Sequence, residues 1–233
     1  MWNRQDIKAR GKAAFKANYW KSVGVSFLLS LLAGGVTASA RSNIPSEDSA
    51  EQSLEEASGL MPEITPAIIL IFVSAMLLVI IVSMALRIFL FNPLKVGCYQ
   101  FFKKNLQSPD APLDAITEGF SQYGRTFLTL FLSDLYVALW CLLLLIPGLV
   151  KAYSYRLVPY LLTDEPDLSP NEVITLSRQL MNGHKWEAFV YDLSFIGWML
   201  LSLISLGLVG IFWTNPYKNN ADAALYYAIR NSQ

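Results

Sequence analysis

Four ionisable residues fall inside runs that are otherwise apolar: Asp134, Lys151, Arg156 and Asp192. Asp134 stands in FLTLFLSDLYVALWCLLLLI and Asp192 in WEAFVYDLSFIGWMLLSLI, each a few turns into its run. In hydrocarbon an unpaired charge costs about 3 kcal/mol even on the permissive insertion scale, so such residues are expected to face protein and to pair. Two acids and two bases have two uses. They neutralise one another and lock a helical bundle, or they line a path for a proton or small ion. Asp192 is placed to reach a base such as Arg156 or Lys185, and Asp134 is expected to face the bundle. A second group, His184, Lys185 and Trp186, marks a boundary between polar and apolar sequence. An imidazole there relays protons or simply hydrogen-bonds, and the amphipathic indole suits a headgroup layer.

Other chemistry is excluded by what these residues lack. No Gly-rich phosphate loop, nucleophile elbow or paired His–Glu zinc motif occurs. The single histidine rules out a poly-histidine metal centre, and Cys98 and Cys141, in or beside apolar runs, suggest neither a disulfide framework nor a metal site. Asp164-Glu165-Pro166-Asp167 reads as a turn before a helix, with cation binding as the alternative. No catalytic residue, cofactor or metal is expected, and the chain reads as a non-enzyme. Its formal net charge of zero argues against a nucleic-acid partner.

The elements that position these residues are membrane elements. Of 233 residues, 54% are hydrophobic and 15% charged, and the apolar excess comes in blocks. Length alone predicts one domain, 1–233. Arg4, Lys8, Lys12 and Lys16 share a helical face, so residues 1–21 read as a basic amphipathic segment lying on an anionic inner leaflet. Val23 to Ala40 follows as a span; Ala38-Ser39-Ala40 also fits a signal-peptide cleavage site. Residues 41–65, with Glu47, Asp48, Glu51, Glu55, Glu56 and Glu63, form an acidic extracellular loop. Pro66 to Phe91 exceeds the ~20 residues needed to cross a bilayer, with Arg87 snorkelling at its end. Thr126 to Ile146 is the next span; Pro147-Gly148 is either a kink in one helix over 126–162 or a tight turn that sends Leu149–Leu162 back, and the turn, which keeps Arg178 and Lys185 inside, places connectors 105–125 and 163–185 in the cytoplasm. Ser169-Pro170-Asn171-Glu172 starts a helix over 170–182 on the inner surface, through a capping box. Residues 186–206 cross outward, Gly207 turns the chain, and 208–229 return.

Asn18-Tyr19-Trp20-Lys21, Gln122-Tyr123-Gly124-Arg125 and Asn182-Gly183-His184-Lys185-Trp186 each open a crossing, and Asn92-Pro93-Leu94-Lys95 resembles Asn215-Pro216-Tyr217-Lys218 in two returns. The fold expected is therefore all-α: a polytopic bundle of about six membrane segments arranged as three helical hairpins with interfacial amphipathic helices. Both termini are cytoplasmic. Two functions fit: a membrane scaffold or interaction partner for another protein, or a small-solute or ion transporter lined by Asp134, Asp192, Lys151 and Arg156.

IPGLVKAYSYRLVPYLLTDEPDLSPNEVITLSRQLM, the following MNGHKWEAFVYDLSFIGW and the later NPY together resemble a family of uncharacterised multi-span membrane proteins of Gram-positive bacteria, filed as a domain of unknown function. The resemblance covers most of Ile146 to Tyr227 and, more weakly, the N-terminal part. It implies a bacterial cell-membrane protein and brings no activity, cofactor or catalytic residue.

The orientation follows from six basic residues ahead of the first span and from Lys95, Lys103 and Lys104 after the second. A cysteine at Ser53 should react with an impermeant maleimide on intact cells, and one at Ser108 should not. The reverse pattern overturns the orientation.

Overall fold

Asn3 starts the chain's first helix by accepting the Gln5 backbone N–H on its side chain at 2.9 Å, satisfying one orphan donor. The computed structural model describes residues 2–32, 66–86, 90–108 and 110–232. The acidic loop 41–65, Ala38-Ser39-Ala40 and Arg87 lie outside them. The described residues are helical, with no strand among them. In order they form α1 (Arg4–Ala17), α2 (Tyr19–Leu32), α3 (Pro66–Leu86), α4 (Asn92–Gln107), a 3₁₀ helix (Leu113–Phe120), α5 (Tyr123–Leu143), α6 (Leu145–Ser154), α7 (Val158–Asp164), α8 (Pro170–Leu180), α9 (Lys185–Leu193), α10 (Ile196–Ile204), a π turn (Gly210–Thr214) and α11 (Asn215–Arg230).

The chain divides into two compact units, Met1–Gly35 with Ile88–Gln233, and Val36–Arg87. Within the second unit α3 is 21 residues long, and its side chains from Leu70 to Val79 are all exposed. In the first unit, Tyr123–Leu143 and Lys185–Ile204 are the two helices among the described residues that are long and apolar enough to cross a membrane, while Tyr19–Leu32 is apolar but shorter.

Two helical hairpins are described in the first unit. In one, α5 and α6 pack together, and the reversal falls at Leu144 rather than at Pro147-Gly148. Leu144 is extended (φ −157°, ψ 138°), which ends α5. Pro147 then sits in the first turn of α6, where a missing N–H removes no bond, and Gly148 N–H makes the bond to Leu144 O at 3.2 Å. The return is also split in two. Pro159 cannot donate to the carbonyl of Tyr155, which instead accepts from Val158 N–H at 3.1 Å, so Tyr155–Leu157 breaks α6 from α7. The other hairpin runs up α9 and α10, with a hitch at Ser194-Phe195, and comes down through the π turn into α11. Its tip holds Leu206 in the left-handed region (φ 53°) and 94% exposed.

Helices α4, α7 and α11 meet in the interior. Tyr99 of α4 lies edge-on to Tyr160 of α7 at 4.8 Å, and Tyr160 stacks on Tyr226 of α11 at 5.0 Å. Around them the amphipathic segments pack in turn. The 3₁₀ helix packs on α4, α8 packs on α7 and α5, and α1 closes the circle on α11. The capping box of α8 is formed: Ser169 N–H donates to Glu172 at 2.7 Å. The bonds to the Ser169 side chain and backbone hold the Glu172 carboxyl below its usual range.

The apolar stripe of α1 (Ile7, Gly11, Ala14, Phe15) is therefore buried in protein. Any contact of α1 with an anionic leaflet rests on Arg4, Arg10, Lys12 and Lys16, which stay exposed. The opposite flank of α11 carries a polar ladder. Ser22, Ser26 and Ser30, four apart on α2, accept from Asn220 (3.2 Å), Asn219 (3.0 Å) and Asn215 (3.3 Å). Asn105 of α4 joins it, donating to Asn220 Oδ1 at 2.6 Å and to Ala14 O at 3.1 Å. Amide and hydroxyl partners at fixed spacing pin the register of apolar helices, which packing alone leaves free to slide.

Gly11 allows α1 to lie this close. A Cβ there would sit 2.5 Å from Ala221 Cα. Gly11→Val should cost about 1–3 kcal/mol of stability in detergent, read as a drop in melting temperature, while Gly24→Ala, where a Cβ meets nothing within 4 Å, should leave it unchanged or slightly raised. Equal melting temperatures for Gly11→Val and the parent would contradict this packing.

Candidate functional site: two neutral ion quartets on one helix

Lys218, Asp222, Tyr226 and Arg230 recur every fourth residue along α11 and so form one row on its surface. Each end of that row completes a cluster of two bases and two acids.

The first quartet joins both hairpins to α11. Arg156, in the break between α6 and α7, binds Asp192 of α9 through both ends of its fork, at 2.7 and 3.0 Å. It also reaches Asp222 at 2.9 Å. Lys218 binds Asp192 at 3.0 Å and Asp222 at 2.9 Å. Tyr153 OH donates to Asp192 at 3.0 Å and Tyr191 OH to Asp222 at 2.9 Å. The four charged side chains are 16–24% exposed, which leaves their charges poorly hydrated and raises the worth of each contact. The Arg156 guanidinium lies near the rings of Tyr153 and Tyr191, at 5.9 and 5.7 Å.

The second quartet ties α4 and α7 to the end of α11. Lys103, 3% exposed, forms an ion pair with Asp164 and donates to Thr163 Oγ1 at 2.8 Å. Arg230 binds Asp164 at 2.9 Å and Glu165 at 2.6 Å. Tyr226 OH donates to Asp164 as well. Asp164 and Glu165, read from sequence as turn residues, are ion-pair partners because α7 ends there against α4 and α11.

Of the four candidates read from sequence, the structure brings Arg156 and Asp192 together and leaves Asp134 and Lys151 apart. The inward stripe of α5 is Thr126, Thr129, Leu130 and Ser133. Asp134 is one residue, about 100°, past that stripe, and lies exposed with no hydrogen bond or ion pair among the described residues. Its expected place inside the bundle is thus corrected. Lys151 sits 4.8 Å over the ring of Trp140. At the boundary, His184 Nδ1 accepts from Trp2 Nε1 at 3.3 Å, and Trp186 is 72% exposed and stacked on Phe189. Lys185 is the first residue of α9 and half-buried.

Sequence reasoning missed Lys218 and Asp222, although a signal existed. Asp222 is the one acid after Asp192, and it stands four residues from Lys218 in a helix otherwise rich in Ala, Asn and Tyr.

Residues 129–233 match the model of a family described as Protein of unknown function (DUF975). Every member of the two quartets except Lys103 lies in the matched segment. No curated protein matches the chain, and neither does any solved structure.

Each quartet is neutral as a set, so deleting one member strands a charge. Asp192→Asn should lower stability by about 1–3 kcal/mol, less than the full buried-pair cost because water still reaches the cluster. Asp192→Asn with Lys218→Gln, which restores neutrality, should recover part of that loss in a double-mutant cycle. A melting temperature unmoved by Asp192→Asn would show that the quartet does not hold the fold.

Proposed function

We propose that the protein is a non-enzymatic, multi-pass cell-membrane protein that acts as a scaffold or interaction partner, with its helical hairpins in the bilayer and both termini in the cytoplasm. The six-segment arrangement belongs to this proposal. It is supported by the two apolar helices Tyr123–Leu143 and Lys185–Ile204 and by the exposure of both hairpin ends. Leu142, Leu143, Leu144, Leu145 and Ile146 are 64–85% exposed at one, and Leu203, Ile204 and Leu206 are 73–94% exposed at the other. Apolar patches of this kind on a soluble surface are a liability, and in lipid they are the solvated face. The bacterial setting is carried by the sequence resemblance alone.

The observation that carries the interaction reading is Asp134. It sits about 16 Å along α5, near the middle of an apolar helix, on the outward face and unpaired among the described residues. A carboxylate so placed in lipid is costly unless another protein's donor or base covers it. The charges that would serve a transport path, Arg156 and Asp192, already satisfy each other together with Lys218 and Asp222. A transporter or channel remains the second reading, now resting on that quartet rather than on all four residues read from sequence.

Alkaline carbonate should leave the chain in the membrane pellet; release into the supernatant overturns the membrane reading. A photo-crosslinker at Leu135 should trap a defined partner in intact membranes, and Asp134→Asn should abolish that adduct. An adduct that survives Asp134→Asn unchanged, or none from Leu135 at all, counts against the interaction reading.

A further inference from the structure

Beside the α5–α6 hairpin, α8 leaves a cleft of about 440 Å³. Its walls include Tyr136 and Trp140 of α5, Lys151 of α6, Tyr155, and Thr175 and Arg178 of α8. Both cations of this cleft are unused: among the described residues neither the Lys151 nor the Arg178 side chain makes an ion pair. That contrasts with Lys103, Arg156, Lys218 and Arg230, each bound to a carboxylate. The acid adjoining the cleft in sequence, Glu172, is turned back onto the Ser169 backbone by the capping box. The cleft thus holds two cations that are in no ion pair among the described residues, and it is walled by three aromatic rings.

Its position on the hairpin supplies the second argument. Lys151 and Trp140 lie just below the bare apolar end, where Leu142, Leu145, Ile146 and Leu149 are 54–85% exposed. In a hairpin that crosses the bilayer with Asp134 near its middle, this cation–indole pair lies six residues, about 9 Å, nearer the far headgroup layer, where a snorkelling lysine and an indole are at home. A ligand filling the cleft would carry an anionic group against Lys151 and Arg178, hydroxyl-accepting atoms near Thr175, and an apolar tail lying along the exposed apolar side chains of the hairpin. We propose that this cleft binds the phosphate headgroup of an anionic phospholipid, with Lys151 and Arg178 as its cationic walls. The inference rests on the membrane reading above and adds a specific lipid site to it.

Native mass spectrometry of the full chain in a neutral detergent, with added phosphatidylglycerol or phosphatidylcholine, tests the site. Phosphatidylglycerol should be retained in preference to phosphatidylcholine. Lys151→Gln with Arg178→Gln should weaken retention about twenty-fivefold, at about fivefold for each cation. Lys151→Arg with Arg178→Lys keeps both charges and should keep binding, which separates loss of charge from loss of fold. Lys104→Gln, whose charge is already met by Glu118, should leave retention unchanged. Equal retention of the two lipids, or unchanged retention in the double glutamine variant, overturns the site. So does displacement of the lipid by millimolar inorganic phosphate as effectively as by excess phosphatidylglycerol, since the cleft would then hold a free anion. The carbonate extraction keeps the two readings apart. A pelleted chain that fails to select phosphatidylglycerol loses only the lipid site, whereas a chain released by carbonate loses both.

Discussion

The first compact unit depends on the need to neutralise one row of charges on α11. Lys218, Asp222 and Arg230 cannot be left bare against the apolar helices that surround them, and each is met by groups from a different part of the chain. Arg156 comes from the break in the α5–α6–α7 return, Asp192 from the rising limb of the last hairpin, and Asp164 and Glu165 from the end of α7, where Lys103 of α4 also binds Asp164. The break at Tyr155–Leu157 has a purpose in this light. A continuous helix from Leu145 to Asp164 would carry Arg156 on a regular face, whereas the interruption frees its guanidinium to fork between Asp192 and Asp222.

Charge and dipole play separate parts on α11. The row Lys218–Arg230 gains its strength from complementary charge, and buried ion pairs of this sort penalise deletion more than they reward formation. The Asn–Ser ladder on the other flank is electrically neutral and contributes mainly by fixing the level at which α2 and α11 stand to each other. A slide of one helical turn would still match a serine to an asparagine at some rungs, but it would take Asn220 away from Asn105 and tear the Arg156 fork. Register is thus set jointly, and the small residues Gly11, Ala221, Ala223 and Ala224 let the backbones come close enough for both sets of bonds to close.

Much of this was legible in the sequence, for identifiable reasons. Local signals survived best. Ser169-Pro170 and Glu172 gave the start of α8, and Gly207 fell in the turn of the last hairpin. Signals that depend on a neighbour did not survive. Pro147-Gly148 looks like a turn, yet a proline is equally at ease in a first helical turn, and only the extended Leu144 decides between them. The basic face of α1 was visible, but not that α11 would claim its apolar face. Asp134 shows the limit most sharply: hydropathy places it inside a span but says nothing of angle, and a single residue's rotation separates Ser133, buried, from Asp134, exposed.

The circular packing in which α1 covers α11 has a consequence for biogenesis. The first and last helices of the described fold are each other's partners, so the fold cannot close in the order in which it is synthesised. Through most of translation Arg156 and Asp192 have only each other, α2 shows a bare line of serines, and the apolar stripe of α1 has no cover. During that interval the nascent chain offers chaperones and proteases a surface that the finished protein hides. The arrival of α11 ends it in one step, because that helix brings the missing charges, the asparagines and the seat for α1 together.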